Sequence, residues 1–303
     1  MNVKDKIFSW IKIARFQFYP MTLIAYSLGA ALSQEFRLSV YLLGYLVLFL
    51  IEFATILANE YYDYPSDRIN KNASPFNGGT RVLVEGRLKF TEVKIAIWLL
   101  MGLIIVAGFL LACTTSHHHT LSVVLLIIVG MILGLGYTVP PLKFSHRGLG
   151  EVVVGVTHSL YVILCGYVFQ TGMWKNPLPW LLSIPLFFAV LGAISLSTIP
   201  DHRADKTAGK TTISVILGPK LAAYFSMGFI TLAALSTIIL SRYGFISFPI
   251  FVLILIHAAV LWLSIVRLIK SSKYDRRIDL IMKLALSYII WFGIVPLIST
   301  FHV

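Results

Sequence analysis

The stretch Val40–Asp67 reads VYLLGYLVLFLIEFATILANEYYDYPSD, and its two parts ask for different surroundings. From Val40 to Ala58 the one charged residue is Glu52. The run approaches the roughly 20 apolar residues a helix needs to cross the hydrocarbon core of a bilayer. Backbone groups in lipid must be bonded within their own segment, so such a run is a helix. From Asn59 onward, oxygen-bearing side chains recur at every fourth position: Asn59, Asp63 and Asp67. Positions i and i+4 share one helix face, so the apolar run ends in a stripe of hard oxygen donors.

Working outward, similar apolar runs recur along the whole chain. They predict nine spans, at 17–34, 40–58, 93–113, 120–137, 151–170, 179–199, 221–241, 247–269 and 280–300. The fold class is therefore all-α: a polytopic membrane protein with nine transmembrane helices in a single domain, 1–303. The composition agrees, with 58% hydrophobic and 13% charged residues where soluble domains carry about 25% charged. Residues 1–17 lack the architecture of a cleavable signal. Their alternation of Ile7, Phe8, Trp10 and Ile11 with Lys4, Lys6 and Lys12 suits a helix lying in the interface. Cys113 and Cys165 both fall in spans, which reads as buried apolar cysteine rather than a disulfide.

Charge orients the bundle. Of the 25 Lys and Arg, all but Arg37, Lys175 and Arg242 fall on the side that holds the N-terminus. The positive-inside rule places that side in the cytoplasm and the C-terminus outside. The net charge of +12 is thus a topology signal and argues against a nucleic-acid partner. It also offers an anionic substrate a favourable field on the cytoplasmic face. Loops on the outer side are short, and the tract His117–His119 is one of them. The cytoplasmic segment between the second and third spans runs about 35 residues and turns at Gly78–Gly79.

A second acidic pair stands at the end of the sixth span, Asp201-x-x-x-Asp205, about 140 residues after the first. Two such ends suggest pseudo-repeated halves, about 1–150 and 151–303, each contributing one motif. Like charges at i,i+4 destabilise a helix, and a divalent cation offsets that repulsion. Mg²⁺ takes one or two carboxylates together with waters and substrate phosphates. Asn59, Asp63, Asp67, Asp201 and Asp205 are therefore candidate metal ligands, and the four aspartates candidate catalytic residues. Pro65 and Pro200 interrupt the ideal geometry, because proline inside a helix kinks or ends it. A competing reading pairs the acids with Arg68, Lys71, Arg203 and Lys206 as solvated helix ends.

Here the chain comes to resemble a family. Asn59-Glu60-Tyr61-Tyr62-Asp63-Tyr64-Pro65-Ser66-Asp67 resembles the first motif, N-x-x-x-D-x-x-x-D, of the UbiA superfamily of intramembrane prenyltransferases. Asp201-His202-Arg203-Ala204-Asp205, with Gly209-Lys210-Thr211-Thr212 after it, resembles the second. The resemblance implies a bundle of this type, in which two Mg²⁺ ions bridge the motifs and the diphosphate of a polyprenyl donor. The prenyl group would pass to an aromatic acceptor. Arg15, Arg81, Lys143, Arg147 and Lys210 become candidate diphosphate or substrate contacts. Tyr137 is a candidate for stabilising the allylic cation, as are Tyr61, Tyr62 and Tyr64.

The stretches Asn77-Gly-Gly-Thr-Arg81 and Arg147-Gly-Leu-Gly-Glu151 look most like the branch that prenylates 1,4-dihydroxy-2-naphthoate for menaquinone, implying a prokaryotic inner or plasma membrane. Glu60 departs from it, Asp being commoner after the motif's Asn. Other acceptors of the superfamily (4-hydroxybenzoate, homogentisate, a glycerol-phosphate lipid) stay open. An ion-coupled transporter is the alternative from another class, but it would place ionisable groups near mid-span, where this chain has Glu52 alone among the carboxylates. A non-catalytic scaffold gives no reason for two acidic motifs. His158 and His257, inside spans, read as hydrogen-bonded packing residues or proton-handling groups.

Overall fold

The apolar runs are helices in the computed structural model, which describes residues 2–115 and 119–300; His117 and His118 lie outside the described residues. Among the described residues there is no strand. The first helix, α1 (Val3–Ala14), begins where Asn2 Oδ1 accepts the Asp5 amide at 2.8 Å, a side-chain cap that satisfies an otherwise unpaired donor. Val3, Ile7, Phe8 and Ile11 are exposed, while Ile13 and Ala14 are buried, as expected for a helix lying along an interface. The helix stops at Arg15, which adopts a left-handed φ of 52°.

Then follow α2 (Tyr19–Ala31), α3 (Leu38–Tyr62), the short α4 (Tyr64–Ile69), α5 (Phe90–Thr114) and α6 (Thr120–Leu135). Next, α7 (Gly150–Val156) runs through a π turn, Thr157–Tyr161, into α8 (Val162–Thr171). The chain continues with α9 (Pro177–Ser197), α10 (His202–Thr207), α11 (Ile213–Leu217), α12 (Pro219–Arg242), α13 (Phe248–Ser271) and α14 (Asp279–Ser299). Among the described residues seven stretches are long and apolar enough to cross a membrane: α3, α5, α7–α8, α9, α12, α13 and α14. The other two expected spans are shorter than the sequence indicates. α2 has 13 residues and α6 has 16, which at 1.5 Å per residue reach about 20 and 24 Å against a core of about 30 Å. Each ends early where the backbone turns into a loop, at Leu32 and at Gly136.

Two glycines let α2 and α8 touch backbone to backbone. A Cβ on Gly29 would lie 1.9 Å from the Ile163 carbonyl oxygen, and one on Gly166 would lie 2.1 Å from that of Tyr26. Small residues at such crossings replace the hydrophobic driving force that lipid does not supply. Polar side chains inside the bundle are mostly tied to carbonyls: Tyr26, Tyr161 and Tyr288 donate to Tyr41, Leu126 and Ile230. His257 is a packing residue, with Nε2 against the Leu284 carbonyl and Nδ1 accepting from the Trp291 indole at 3.0 Å. Cys165 is buried and unpaired as expected, but Cys113 is exposed, on the side of α5 turned away from the bundle.

Both prolines act at helix ends. α3 stops at Tyr62, Asp63 sits at φ −86°, ψ 0°, and α4 restarts with Pro65 in its first turn, where a missing N–H costs nothing. The Asp67 amide still bonds to the Asp63 carbonyl at 3.0 Å. On the other side, α9 ends before Pro200, Asp201 caps α10, and the Asp205 amide reaches the Asp201 carbonyl at 2.8 Å. The helical spacing within each acidic pair therefore survives, although each pair lies across a break between a long helix and a short one.

Candidate active site

A cavity of about 400 Å³ opens between these two helix ends and continues into the interior of the bundle. Its polar end is lined by Asn59, Asp63 and Asp67 from one motif and by Asp201 and Asp205 from the other. Lys210 stands between them. Its Nζ donates to Asp63 Oδ2 at 2.8 Å and lies 3.7 Å from Asp205 Oδ1. Gly209 makes this possible, because its φ of +75° turns the chain after α10 so that the Lys210 amide reaches the Asp205 carbonyl at 2.9 Å. Thr211 Oγ1 donates to the His146 carbonyl, and Glu151 Oε1 accepts the Ile213 amide at 2.7 Å. The segment after the second motif is thereby stitched to the loop between α6 and α7.

The long loop between α4 and α5 closes the other side. Asn70 and Asn77 both donate to Asp201 Oδ1, at 2.7 and 2.6 Å, and Asn72 donates to the Pro200 carbonyl. Gly78 and Gly79 hold φ near +68° and +69°. Gly79 is needed twice over, since a Cβ there would lie 2.1 Å from Asp67 Oδ2. Glu60 grips Thr80 with both oxygens, taking its amide and its hydroxyl at 2.7 Å each. Asn59 Oδ1 accepts from the Thr138 hydroxyl at 2.8 Å, which leaves a second lone pair on that oxygen.

Electrostatically the site is short of positive charge. Burial, with the charges of Asp63 and Glu60 added to it, holds Asp67 well above the ordinary carboxylate range. Burial also raises Asp201 in spite of its two asparagine bonds. Asp205 is pushed up to about 7, by burial first and then by Asp201 and Asp63, against the pull of Lys210. Burial lowers the Lys210 ammonium's affinity for its proton, but Asp63, Asp205 and Asp67 outweigh it and raise the lysine above its usual value. One lysine serves four acids, and Asp63 Oδ1 is buried with no partner at all. Among the described residues no three His, Cys, Asp or Glu are gathered into a ready-made metal cage. Hard oxygen donors in two separated pairs, with an unsatisfied carboxylate oxygen between them, fit Mg²⁺, which completes its shell with water and phosphate.

Not every residue expected at the site is there. Arg15 and Tyr137 line the cavity. Arg15 donates to the Pro75 carbonyl at 3.3 Å and keeps a buried, unpartnered Nε. Arg81 instead turns away and caps α4, donating to the carbonyls of Asp67 and Asn70 at 3.0 Å each. Arg147 folds back onto the Pro141 carbonyl at 2.7 Å, and Lys143 forms the left-handed cap of the turn Phe144–His146. Neither lines the cavity. Tyr61 and Tyr64 pack edge-on against Phe90, and Tyr62 is exposed, so of the four tyrosines Tyr137 alone faces the cavity. The solvated-end reading fails too: Arg203 pairs with Asp275, and Lys210 holds the acids. Asn70, Asn77 and the Glu60–Thr80 clamp were not anticipated; the density of Asn and Gly in 70–79 was their one sequence signal.

Comparison with known proteins gives a consistent result. The model of the UbiA prenyltransferase family matches residues 18–287. The 1,4-dihydroxy-2-naphthoate octaprenyltransferase of Bacillus subtilis (strain 168) is 31% identical over 196 residues, 61% of this chain and 58% of that enzyme's length. The apo structure of a UbiA homolog from Aeropyrum pernix K1 superposes with a TM-score of 0.68 at 21% identity, covering 92% of this chain and 96% of that one. A UbiA homolog from Archaeoglobus fulgidus bound to DMAPP and Mg²⁺ gives 0.59 at 16% identity, covering 95% and 98%. At such identities the structural likeness speaks for the fold.

Proposed function

We infer the reaction from one premise: the chain belongs to the UbiA prenyltransferase family. The reading is magnesium-dependent transfer of a polyprenyl group from a polyprenyl diphosphate to an aromatic acceptor. The observation that carries it is the meeting of Asp63, Asp67, Asp201 and Asp205 around Lys210, at the mouth of a cavity that runs on into an apolar bundle. A diphosphate fits the charged end, and the rest has room for a prenyl chain and an acceptor. A transporter reading has only Glu52 to use at mid-span, and the other acids that line the cavity all sit at its mouth. Likeness to the Bacillus enzyme favours 1,4-dihydroxy-2-naphthoate, and hence menaquinone synthesis, over 4-hydroxybenzoate, homogentisate or a glycerol-phosphate lipid.

The residues divide the work. Asn59, Asp63 and Asp67 on one side and Asp201 and Asp205 on the other would hold the metal, two ions bridging to the diphosphate. Bound Mg²⁺ supplies Lewis-acid stabilisation of charge on the leaving group. Lys210 is placed to follow the diphosphate as its negative charge grows, and Arg15, on the cavity wall with an unpartnered Nε, supplies a second cation. Tyr137 presents an aromatic face to the allylic centre. Counting α2 and α6 with the seven long helices gives nine crossings, with the N-terminus cytoplasmic and the C-terminus outside. The charge distribution and the matching ends of α3 and α9 support that arrangement and the pseudo-repeated halves.

The test is to incubate membranes holding the protein with labelled farnesyl diphosphate, Mg²⁺ and each acceptor in turn, identifying products by mass. Prenylated naphthoate is expected, and Asp63→Ala or Asp201→Ala should insert normally yet form none. Turnover without metal, or wild-type rates in either variant, would refute the assignment.

A further inference from the structure

The helix that delivers Asn59 and Asp63 to the cavity mouth carries more than those two. Glu52, Thr55, Asn59 and Asp63 all line the cavity, and their spacing of i, i+3, i+7 and i+11 keeps them on one face of α3. Glu52 is two turns, about 10 Å, deeper than Asn59. Eight buried side-chain atoms among the described residues have no hydrogen-bond partner, and four belong to this stripe: Glu52 Oε1 and Oε2, Thr55 Oγ1 and Asp63 Oδ1. Asp63 is accounted for by the diphosphate site. Glu52 and Thr55 are not.

Opposite them stands His158, in the π turn Thr157–Tyr161 and on the cavity wall. Such single turns inside α-helices cluster at functional sites. His158 Nδ1 lies 3.2 Å from the Val154 carbonyl oxygen. That oxygen can only accept, and the Thr157 hydroxyl, 3.1 Å from Nδ1, already donates to the Val153 and Val154 carbonyls, so the tautomer protonated at Nδ1 satisfies both contacts and leaves Nε2 a lone pair. The other groups close to Glu52 are Thr22 and Tyr19 of α2 and Tyr45 of its own helix. Thr22 is near enough to offer Glu52 its hydroxyl, and among the described residues no Lys or Arg pairs with the carboxylate, which leaves His158 as the nearest group able to carry positive charge.

An unpaired carboxylate inside a membrane bundle is costly, so its occupant must supply donors. A prenyl chain has none, and laying it over Glu52 would bury the charge outright. An anionic group laid against it would be repelled, so the carboxylate of a naphthoate acceptor has to point away from Glu52. What suits two carboxylate oxygens and an imidazole nitrogen is a flat ring bearing neutral O–H groups. We propose that Glu52 and His158 form the subsite for a phenolic acceptor: Glu52 is the base that takes the proton of one hydroxyl, and His158 accepts from another. The proposal rests on the prenyl-transfer reading above.

The step balances as follows. The allylic C1–O bond breaks and its electron pair leaves on the diphosphate. The acceptor's O–H bond breaks, its proton passes to a Glu52 carboxylate oxygen, and its electrons move into the ring so that a ring carbon bonds to C1. The hydrogen on that carbon then moves to the oxygen as the keto form returns to the phenol. Glu52 releases its proton to solvent at the cavity mouth. His158 accepts from the same ring's second hydroxyl and fixes its orientation.

Glu52→Gln keeps the shape and removes the base. In Mg²⁺-loaded bilayer nanodiscs with geranyl diphosphate and 1,4-dihydroxy-2-naphthoate, it should lower kcat/KM for the acceptor about 100-fold or more, the scale of general-base catalysis. Binding of labelled geranyl diphosphate should stay within about twofold, because the donor's charged end lies two turns away. Glu52→Asp should recover part of the rate, and His158→Gln should raise the acceptor KM more than it lowers kcat. Acceptor turnover by Glu52→Gln within about threefold of wild type, or an equal loss of donor binding, overturns the proposal. If the wild type binds donor but prenylates no aromatic acceptor, the functional reading falls with it; wild-type transfer with an indifferent Glu52→Gln overturns this inference alone.

Discussion

Lys210→Met tests the charge balance of the site most directly. The substitution keeps most of the side chain's length and removes its charge. At 2.8 Å from Asp63 Oδ2 and 3.7 Å from Asp205 Oδ1, the ammonium gains about 6 and 4.5 kcal/mol at an effective dielectric of about 20. Desolvating a side chain that is 12% exposed takes back several kcal/mol, so the net contribution is far smaller than the gross attraction. What the variant suffers is the loss of one partner from a buried set, which costs about 3–5 kcal/mol because the acids remain. In EDTA the protein should therefore melt roughly 6–12 °C lower than wild type, followed by tryptophan fluorescence in detergent. Mg²⁺ should close most of that gap, since a divalent cation supplies the charge the lysine gave. Prenyl transfer should not recover with it. Equal melting temperatures in EDTA, or a gap that Mg²⁺ leaves untouched, would refute the view of Lys210 as the counter-ion of an acid-rich metal site.

Two further outcomes follow from the same geometry. Gly79→Ala places a methyl group 2.1 Å from Asp67 Oδ2 at a φ of +69°. It should cost about 1–2 kcal/mol from the left-handed backbone alone and weaken Mg²⁺-dependent turnover, checked by melting and by metal titration. Asp67, Asp201 and Asp205 all have folded pKa values raised above the unfolded 3.8, Asp205 to about 7. Ionising them therefore opposes folding, so metal-free stability should fall as pH rises from about 4 to 7, Lys210 staying charged throughout. Because Mg²⁺ binds the ionised acids, the rise in melting temperature it causes should be larger at pH 7.5 than at pH 5.5. An equal or larger rise at pH 5.5 would contradict this.

Much of this was legible in the chain because membrane helices and i,i+4 stripes are local patterns. Apolar length found seven spans outright, and fourfold spacing placed Asn59, Asp63 and Asp67 on one face even though Pro65 splits the helix between them. Length misjudged α2 and α6: the expected 17–34 took in Gln17 and Phe18 before the helix and Ser33 and Gln34 after it, and apolar residues continue past the point where Gly136 leaves α6. Basic residues were the least legible. Charge bias gathers Arg81, Lys143 and Arg147 at the end of the bundle that holds the acidic motifs, but which carbonyl a guanidinium reaches is decided by tertiary packing. The same holds for Asn70 and Asn77, whose partner Asp201 lies 131 and 124 residues away. Glu60, a departure from the motif, proves to be the anchor for Thr80.

Those two asparagines make Asp201 a hinge between chemistry and access. One carboxylate oxygen is held by the loop 70–79, and the same carboxylate faces the cavity. A cation drawn to Asp201 polarises the oxygen that the loop's amides hold, so loading the site and fastening the loop are one coupled equilibrium. Such coupling is reciprocal: whatever factor the ordered loop adds to cation affinity, the cation adds to the order of the loop. The segment would then report on the site's contents to the solvent outside the bundle, loosening when the cation leaves.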